Sequence, residues 1–356
     1  MTTTKSHNGK WDENKDSIDP TNSKDQHIAG ITSYLGLDTE FLVKKEGKVI
    51  WPWEQKLPQE RDLSNPFTTD NPERYDFHGD GFATELCISP NYCLDLIMES
   101  LGYAFYWLGR EGVRQIYAPA IYSIPTEVEK AAPEQAKQLG CMPSLNAYGD
   151  SGNPSSLTKE QRTTGCHLHI SHPKLVDQDI ALALVRWADI LVGCTWTYIS
   201  PNPSKAEAER RKAYGRAGEF RFKQYPAEPG GLLLKDYAFG VEYRVLPGTP
   251  MQHPAYLTLM YSLYRSALRL AVEYGNPVQD LAFQAKEAIN NADKTQAKKV
   301  IRSLPISSNG RKLIRFLRRV PLKIEQANEW YVIGSHRQGH QYLFHSRNIK
   351  DRLLSL

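Results

Sequence analysis

Residues 214–247 read YGRAGEFRFKQYPAEPGGLLLKDYAFGVEYRVLP, two short β-like runs around a Pro/Gly-rich connection. A strand sends successive side chains to opposite faces. In FGVEYRVL, residues 239–246, this alternation puts Val241, Tyr243 and Val245 on one face and Glu242 with Arg244 on the other. In EFRF, residues 219–222, Phe220 and Phe222 face a core while Glu219 and Arg221 face away, with Arg216 just upstream. If the runs pair, these arginines and carboxylates share one surface of a sheet. Solvated cross-strand partners on a wet face explain any single strand of this kind, and surface ion pairs contribute little. Convergence of chemistry across several strands is what separates a site from a wet face.

The pattern recurs along the chain. GLDTEFLV, residues 36–43, sets Leu37, Thr39, Phe41 and Val43 against Asp38 and Glu40. Two carboxylates side by side repel, and a cation is the usual remedy. DGFATELCISP, residues 80–90, carries Glu85 opposite Thr84, Leu86 and Ile88, and Pro90 ends it. TGCHLHIS, residues 164–171, puts His167, His169 and Ser171 on one face, opened by Gly165, where backbone or ligand approaches closely. Carboxylates with imidazoles and no thiolate suit Mg²⁺ or Mn²⁺. Arginines among such ions suit phosphate. Neither a Walker loop nor GxGxxG occurs, so P-loop and Rossmann binding are excluded.

Between the strands, helical spacing marks residues 92–109, 177–199 and 257–274 as core helices. Residues 51–80 read as a loop that covers the site, and Asn146, Tyr148 and Asp150 read as turn formers. KAEAERRK, residues 205–212, reads as a solvated charge run or a mobile lid over an anionic substrate. Residues 294–323 contain many lysines and arginines and no acid, with Leu313, Ile314 and Leu317 as the apolar side of a basic helix. His336, His340 and His345 lack metal-ligand spacing.

The chain has 356 residues, a net charge of +4 that decides nothing, and five cysteines without a CxxC pair. Free thiols in a reducing cytoplasm are expected, with no signal peptide and no membrane span. Residues 1–28 are too polar to offset ordering entropy and are expected to be a disordered tail. A catalytic domain is expected over 29–275, and a basic helical extension, packed on it or appended to it, over 276–356.

The ordered set Asp38-x-Glu40, Glu85, Gly165-x-His167-x-His169, Arg216 with Arg221, and Glu242-x-Arg244 resembles the glutamine synthetase and glutamate-cysteine ligase superfamily. It is most similar to the carboxylate-amine ligases of the COOH.NH2 type 2 family of tailed bacteriophages and bacteria, over about residues 31–250. The resemblance implies an α+β fold with a curved antiparallel sheet, the site on its concave face and helices behind. It implies ATP and two or three Mg²⁺ or Mn²⁺ ions as cofactors. Asp38, Glu40, Glu85, His167 and Glu242 match metal-binding residues. His167, His169, Arg216, Arg221 and Arg244 match residues near the nucleotide phosphates, and Arg216, Arg221, Arg244 and Glu242 match catalytic positions. The first acid is Asp where glutamine synthetase has Glu, and no second acid follows Glu85 at that enzyme's spacing.

The expected activity is ATP-dependent amide formation between a carboxylate and an amine, small molecules or peptides, through an acyl phosphate. The expected location is the cytoplasm, that of the host for a phage protein. An oligomer is compatible with the resemblance. One rival is a Zn²⁺ hydrolase built on His167 and His169. Another, not favoured, is a nucleic-acid or virion-binding protein acting through residues 294–323.

Overall fold

The central strand Tyr34–Lys45 organises the sheet in the computed structural model, which describes residues 11, 17–21, 27–57, 75–110, 115–137, 144–150, 157–158, 160–224 and 239–319. The sheet strands are β1 (Tyr34–Lys45), β2 (Lys48–Ile50), β3 (Tyr75–Asp80), β4 (Ala83–Asn91), β5 (Gln115–Tyr117), β6 (Leu145–Asn146), β7 (Cys166–Ser171), β8 (Glu219–Gln224) and β9 (Phe239–Tyr243). Their order is β3-β4-β1-β7-β9-β8-β6, with β2 and β5 added to β1, and all these pairings are antiparallel. The principal helices are α1 (Leu94–Arg110), α2 (Gln178–Ile199), α3 (Ser204–Ala213), α4 (Pro254–Tyr274), α5 (Gln279–Asn290), α6 (Lys294–Arg302) and α7 (Ser308–Leu317). The protein is therefore mixed α+β, an open antiparallel sheet with helices packed around it.

The back face of the sheet supplies the core. Leu37, Phe41, Val43, Leu86, Leu168, Ile170, Val241, Tyr243 and Phe220 are buried in one cluster with the helices. Phe222, expected beside Phe220, is instead 42% exposed, because β8 lies near the sheet margin and only Phe220 reaches the packed region. Helix α4 crosses behind the centre: the Tyr261 hydroxyl donates to the Gly36 carbonyl at 2.6 Å and Tyr264 to that of Val241 at 3.1 Å. Pro254 at its first turn, the His253 cap on the Ala255 N–H, and Gly275 at φ 68° delimit it.

Helix α2 begins at the Asp177 cap and widens into a π-turn at Asp189–Gly193. It is long and apolar enough to cross a bilayer, but 83% of its most apolar window is buried inside the protein, which makes it a core helix. In the π-turn, Asp189 is fully buried and accepts from the Tyr243 hydroxyl at 2.8 Å. Burial pushes its carboxyl up to about 7, against the hydrogen bonds it accepts. The folded state thus holds this proton more tightly than the unfolded chain, whose Asp titrates near 3.9. Its contribution is complete below pH ~4 and lost as pH rises through about 7. Asp189→Asn is expected to remove a fall of about 1.4 kcal/mol per pH unit across that window, measured by urea unfolding at several pH values. An unchanged pH slope in the variant would remove Asp189 as the cause.

Several sequence expectations need correction. The tail expected over residues 1–28 is partly integrated: Ile18 is fully buried and bridges Ile306, and Trp11 packs edge-on against Trp187. A few apolar side chains suffice because the core offers them ready-made partners. Residues 75–80 of the expected loop form β3. KAEAERRK is only partly solvated: Lys205 and Lys212 are exposed, but Glu207, Arg210 and Arg211 are buried at 3%, 0% and 3% exposure and belong to the scaffold rather than to a lid. Glu207 accepts from Trp196, Ser200 and Asn202 and faces Arg211 at 3.4 Å.

Beyond residue 275, Ala285, Ile289, Ile301 and Leu317 join the same core cluster, and the Tyr256 hydroxyl holds the Leu317 carbonyl. The helices over 279–317 therefore pack on the sheet-bearing body. The loop at 58–74, the connection 225–238, Cys141, and the histidines at 336, 340 and 345 lie outside the described residues. Cys87, Cys93, Cys166 and Cys194 are free thiols.

Candidate active site

Register assembles the front face. His167 pairs with Asp38, and His169 pairs with Glu242 on its other side. Glu40 stands opposite Glu85, Glu85 opposite His78, and Arg221 opposite Glu242. The ladder runs past the strand ends, with Glu40 N–H donating to Gly165 and Arg244 N–H to Glu219. Alternation had assigned each side chain to a face; the pairing makes those faces one continuous surface. Gly165 is needed locally, because a Cβ there would collide with the His167 ring.

Two groups of side chains occupy this surface. In the first, Asp38, His169 and Glu242 bring one ligand atom each within 4.8 Å of one another. His169 Nε2 is 3.1 Å from Asp38 Oδ2, and Lys223 Nζ lies 3.1 Å from Glu242 and 3.7 Å from Asp38. Arg244, one residue past β9, donates to Glu242. Burial raises the Asp38 carboxyl, but His169 and Lys223 overcome it and hold it well below the usual range. Burial likewise opposes ionisation of Glu242, and His169, Arg244 and Lys223 outweigh it. Both are carboxylates at neutral pH.

The second group is acidic and crowded. Burial, then repulsion from Asp80 and Glu85, pushes Glu40 well above the carboxylate range. Burial and Glu85 push Asp80 up to about 6, although His78, Arg244 and Arg221 pull against them. Glu85 is drawn to His78, at 3.0 Å, and His78 also meets Asp76 at 3.5 Å. Burial works against the His78 imidazolium, but the accepting carboxylates of Asp76 and Glu85, through hydrogen bonding and charge, overcome it and raise His78 to about 10.

Among the residues expected at the site, Asp38, Glu40, Glu85, His167, His169, Arg221, Glu242 and Arg244 share this face. Two placements differ from the family-based roles. The Tyr214 hydroxyl meets His167 Nε2 at 2.8 Å, which leaves Nδ1, 3.4 Å from Glu242, facing that acid. Burial and Arg244 hold this imidazole well below its ordinary value. Its Nε2 is therefore paired with the Tyr214 hydroxyl, with Glu40 3.8 Å away, and His169 is the imidazole grouped with Asp38 and Glu242. Arg216 donates from Nε to the Arg211 carbonyl at 3.1 Å, a contact with the scaffold. Asn146, Tyr148 and Asp150 serve the scaffold, as in the Lys286–Asp150 pair at 2.9 Å.

Sequence reading missed Asp76, His78, Asp80, Lys223 and Tyr214. YDFHGD has the same period-2 alternation as the other strands, and Lys223 continues the row of Glu219 and Arg221. No family model matches the chain, and no curated protein matches it.

Proposed function

We propose that the protein is an ATP-dependent carboxylate-amine ligase with a glutamine synthetase-like sheet. The observation that carries this reading is that acids, imidazoles and arginines on six antiparallel strands and their ends share one face, in register. Phosphoryl transfer is mostly positioning and charge neutralisation, and this face supplies both signs of charge in a buried setting.

The donor set fits a hard divalent cation. Asp38, His169 and Glu242 converge with oxygen and imidazole ligands, and the crowding of Glu40 with Asp80 and Glu85 is the kind of repulsion a cation relieves. Asp38, Glu242 and His169 would hold one Mg²⁺ or Mn²⁺, and the crowded charge of Glu40, Asp80 and Glu85, which do not form a closed ligand set among the described residues, would face a second. Such ions, when bound, would neutralise the β- and γ-phosphates of ATP. Lys223, 30% exposed at its side chain, is the cation those ions would displace from between Asp38 and Glu242.

Arg221 and Arg244 would then stabilise the phosphoryl group as it moves to the substrate carboxylate. ADP leaves, an amine attacks the acyl carbon, phosphate departs, and the amine gives up its proton. The Tyr214–His167–Glu242 chain would orient Glu242 toward this charge. A cytoplasmic supply of ATP is the setting this chemistry needs.

The test is incubation with ATP, Mg²⁺ and an amino-acid mixture. Phosphate release that depends on one particular pair of additions, with ADP as the nucleotide product, is expected. AMP as product, or tightly bound stoichiometric Zn²⁺ with no ATP affinity, would refute the ligase. The Zn²⁺ hydrolase has less support, because His167 and His169 do not converge on one ligand position among the described residues.

A further inference from the structure

The acid-free basic stretch does not form a flat basic helix face. Helices α6 and α7 are joined by a short connection and turn their cationic stripes toward each other around a cavity of about 260 Å³. Lys298 and Arg302 line it from α6, and Arg311, Arg315, Arg318 and Arg319 from α7 and the residues just after it. Ile301, Ile314 and the Tyr198 ring complete the lining, all three buried residues.

Geometry fixes part of this arrangement. The Arg318 guanidinium lies 4.8 Å from the centre of the Tyr198 ring and donates to its hydroxyl at 3.0 Å. Arg311 is held by the carbonyls of Leu304 and Ile306. Among the described residues, no carboxylate forms an ion pair with any of the six cations. Like charges four residues apart on a helix destabilise it, and here two such rows also face each other. Lys294 feels the same excess: burial lowers its pKa and Arg318 lowers it further, against Glu207. Arrangements of this kind persist where an anion relieves them.

The geometry points to a second ligand site: the α6–α7 pocket binds a compact oligophosphate anion. Guanidinium forks match phosphate oxygens bidentately, and several of them around one cavity match several linked phosphates better than one. The volume lies just below the usual ligand-pocket range of about 300–1,000 Å³, which suits a phosphate chain. A nucleic-acid duplex would need an extended basic track instead. No residue of this pocket belongs to the sheet, so the site is separate from the acid face of the proposed ligase.

Titration calorimetry of the full chain with sodium tripolyphosphate tests this. Chelator is present, so that the acid face, without divalent cations, repels the ligand. Saturable binding is expected, weakening as salt is raised. Arg302 and Arg315 are exposed, so Arg302→Gln/Arg315→Gln is expected to fold normally, checked by thermal unfolding, and to lose at least about tenfold in affinity. Orthophosphate is expected to bind more weakly than tripolyphosphate. Absence of binding to the unmodified protein would overturn the proposal, as would equal affinity in the double variant. Tighter binding of a single-stranded oligonucleotide than of tripolyphosphate would also overturn it and assign the surface to nucleic acid.

Discussion

Glu242→Gln is expected to reduce ATP-dependent phosphate release by at least about a hundredfold, the loss that follows removal of one well-placed electrostatic group, about 3 kcal/mol. Glu242 is 1% exposed and meets Arg244, Lys223 and His167 while grouping with Asp38 and His169. Glutamine keeps the shape and removes the charge, so the cationic partners lose their counter-ion. Breaking a buried pair from one side costs about 3–5 kcal/mol, with Lys223 contributing less because it reaches solvent. Both effects are separable: urea unfolding reads the stability loss, and turnover per folded molecule reads the catalytic one. Near-normal turnover in folded Glu242→Gln would sink the assignment of Glu242 to the site.

Arg210→Met is expected to destabilise the fold by on the order of 3 kcal/mol, since hydrogen bonds from charged groups contribute about 1.5–3 kcal/mol each. Arg210 is fully buried and donates to the carbonyls of Thr164, Val245 and Leu246. Arg211 also serves Val245, and the Cys166 N–H serves Leu246. Thr164 is therefore the carbonyl most exposed to loss. Burial, with repulsion from Arg211, lowers the Arg210 pKa to about 10, yet it stays charged at neutral pH. Arg210→Lys is expected to recover only part of the loss, because an ammonium lacks the planar fork that spans three acceptors. A change below about 1 kcal/mol in urea unfolding of Arg210→Met would show that the clasp is not structural.

The clasp also connects scaffold and site. It ties α3 to the segment that follows β9, just past Arg244, and the Arg210 guanidinium lies 5.2 Å from the centre of the Tyr214 ring. Gly215, at φ 72°, lets the chain turn beside it, where a Cβ would strike the guanidinium. Composition presented KAEAERRK as a charge run, because charge count says nothing about whether carbonyls elsewhere in the chain wait to be capped. His78 was missed for a different reason. Its neighbours Asp, Asn and Pro made a loop the simpler reading, although YDFHGD alternates.

What the sequence determined by itself was the face on which each side chain lies. Leu37, Leu168 and Val241 went to the core and Asp38, His167 and Glu242 to the front, because alternation along a strand is local and has a period of two. The apolar spacing of α2 and α4 was equally local. Only the tertiary structure decided which strands became neighbours, and so which acid met which base. His169 rather than His167 grouped with Asp38 and Glu242, Lys223 entered between those acids, and Arg216 bonded the Arg211 carbonyl. Strand pairing across separations of up to 137 residues, Tyr34 with Ser171, is set by loop closure and by packing of the whole core, and no local period encodes that choice.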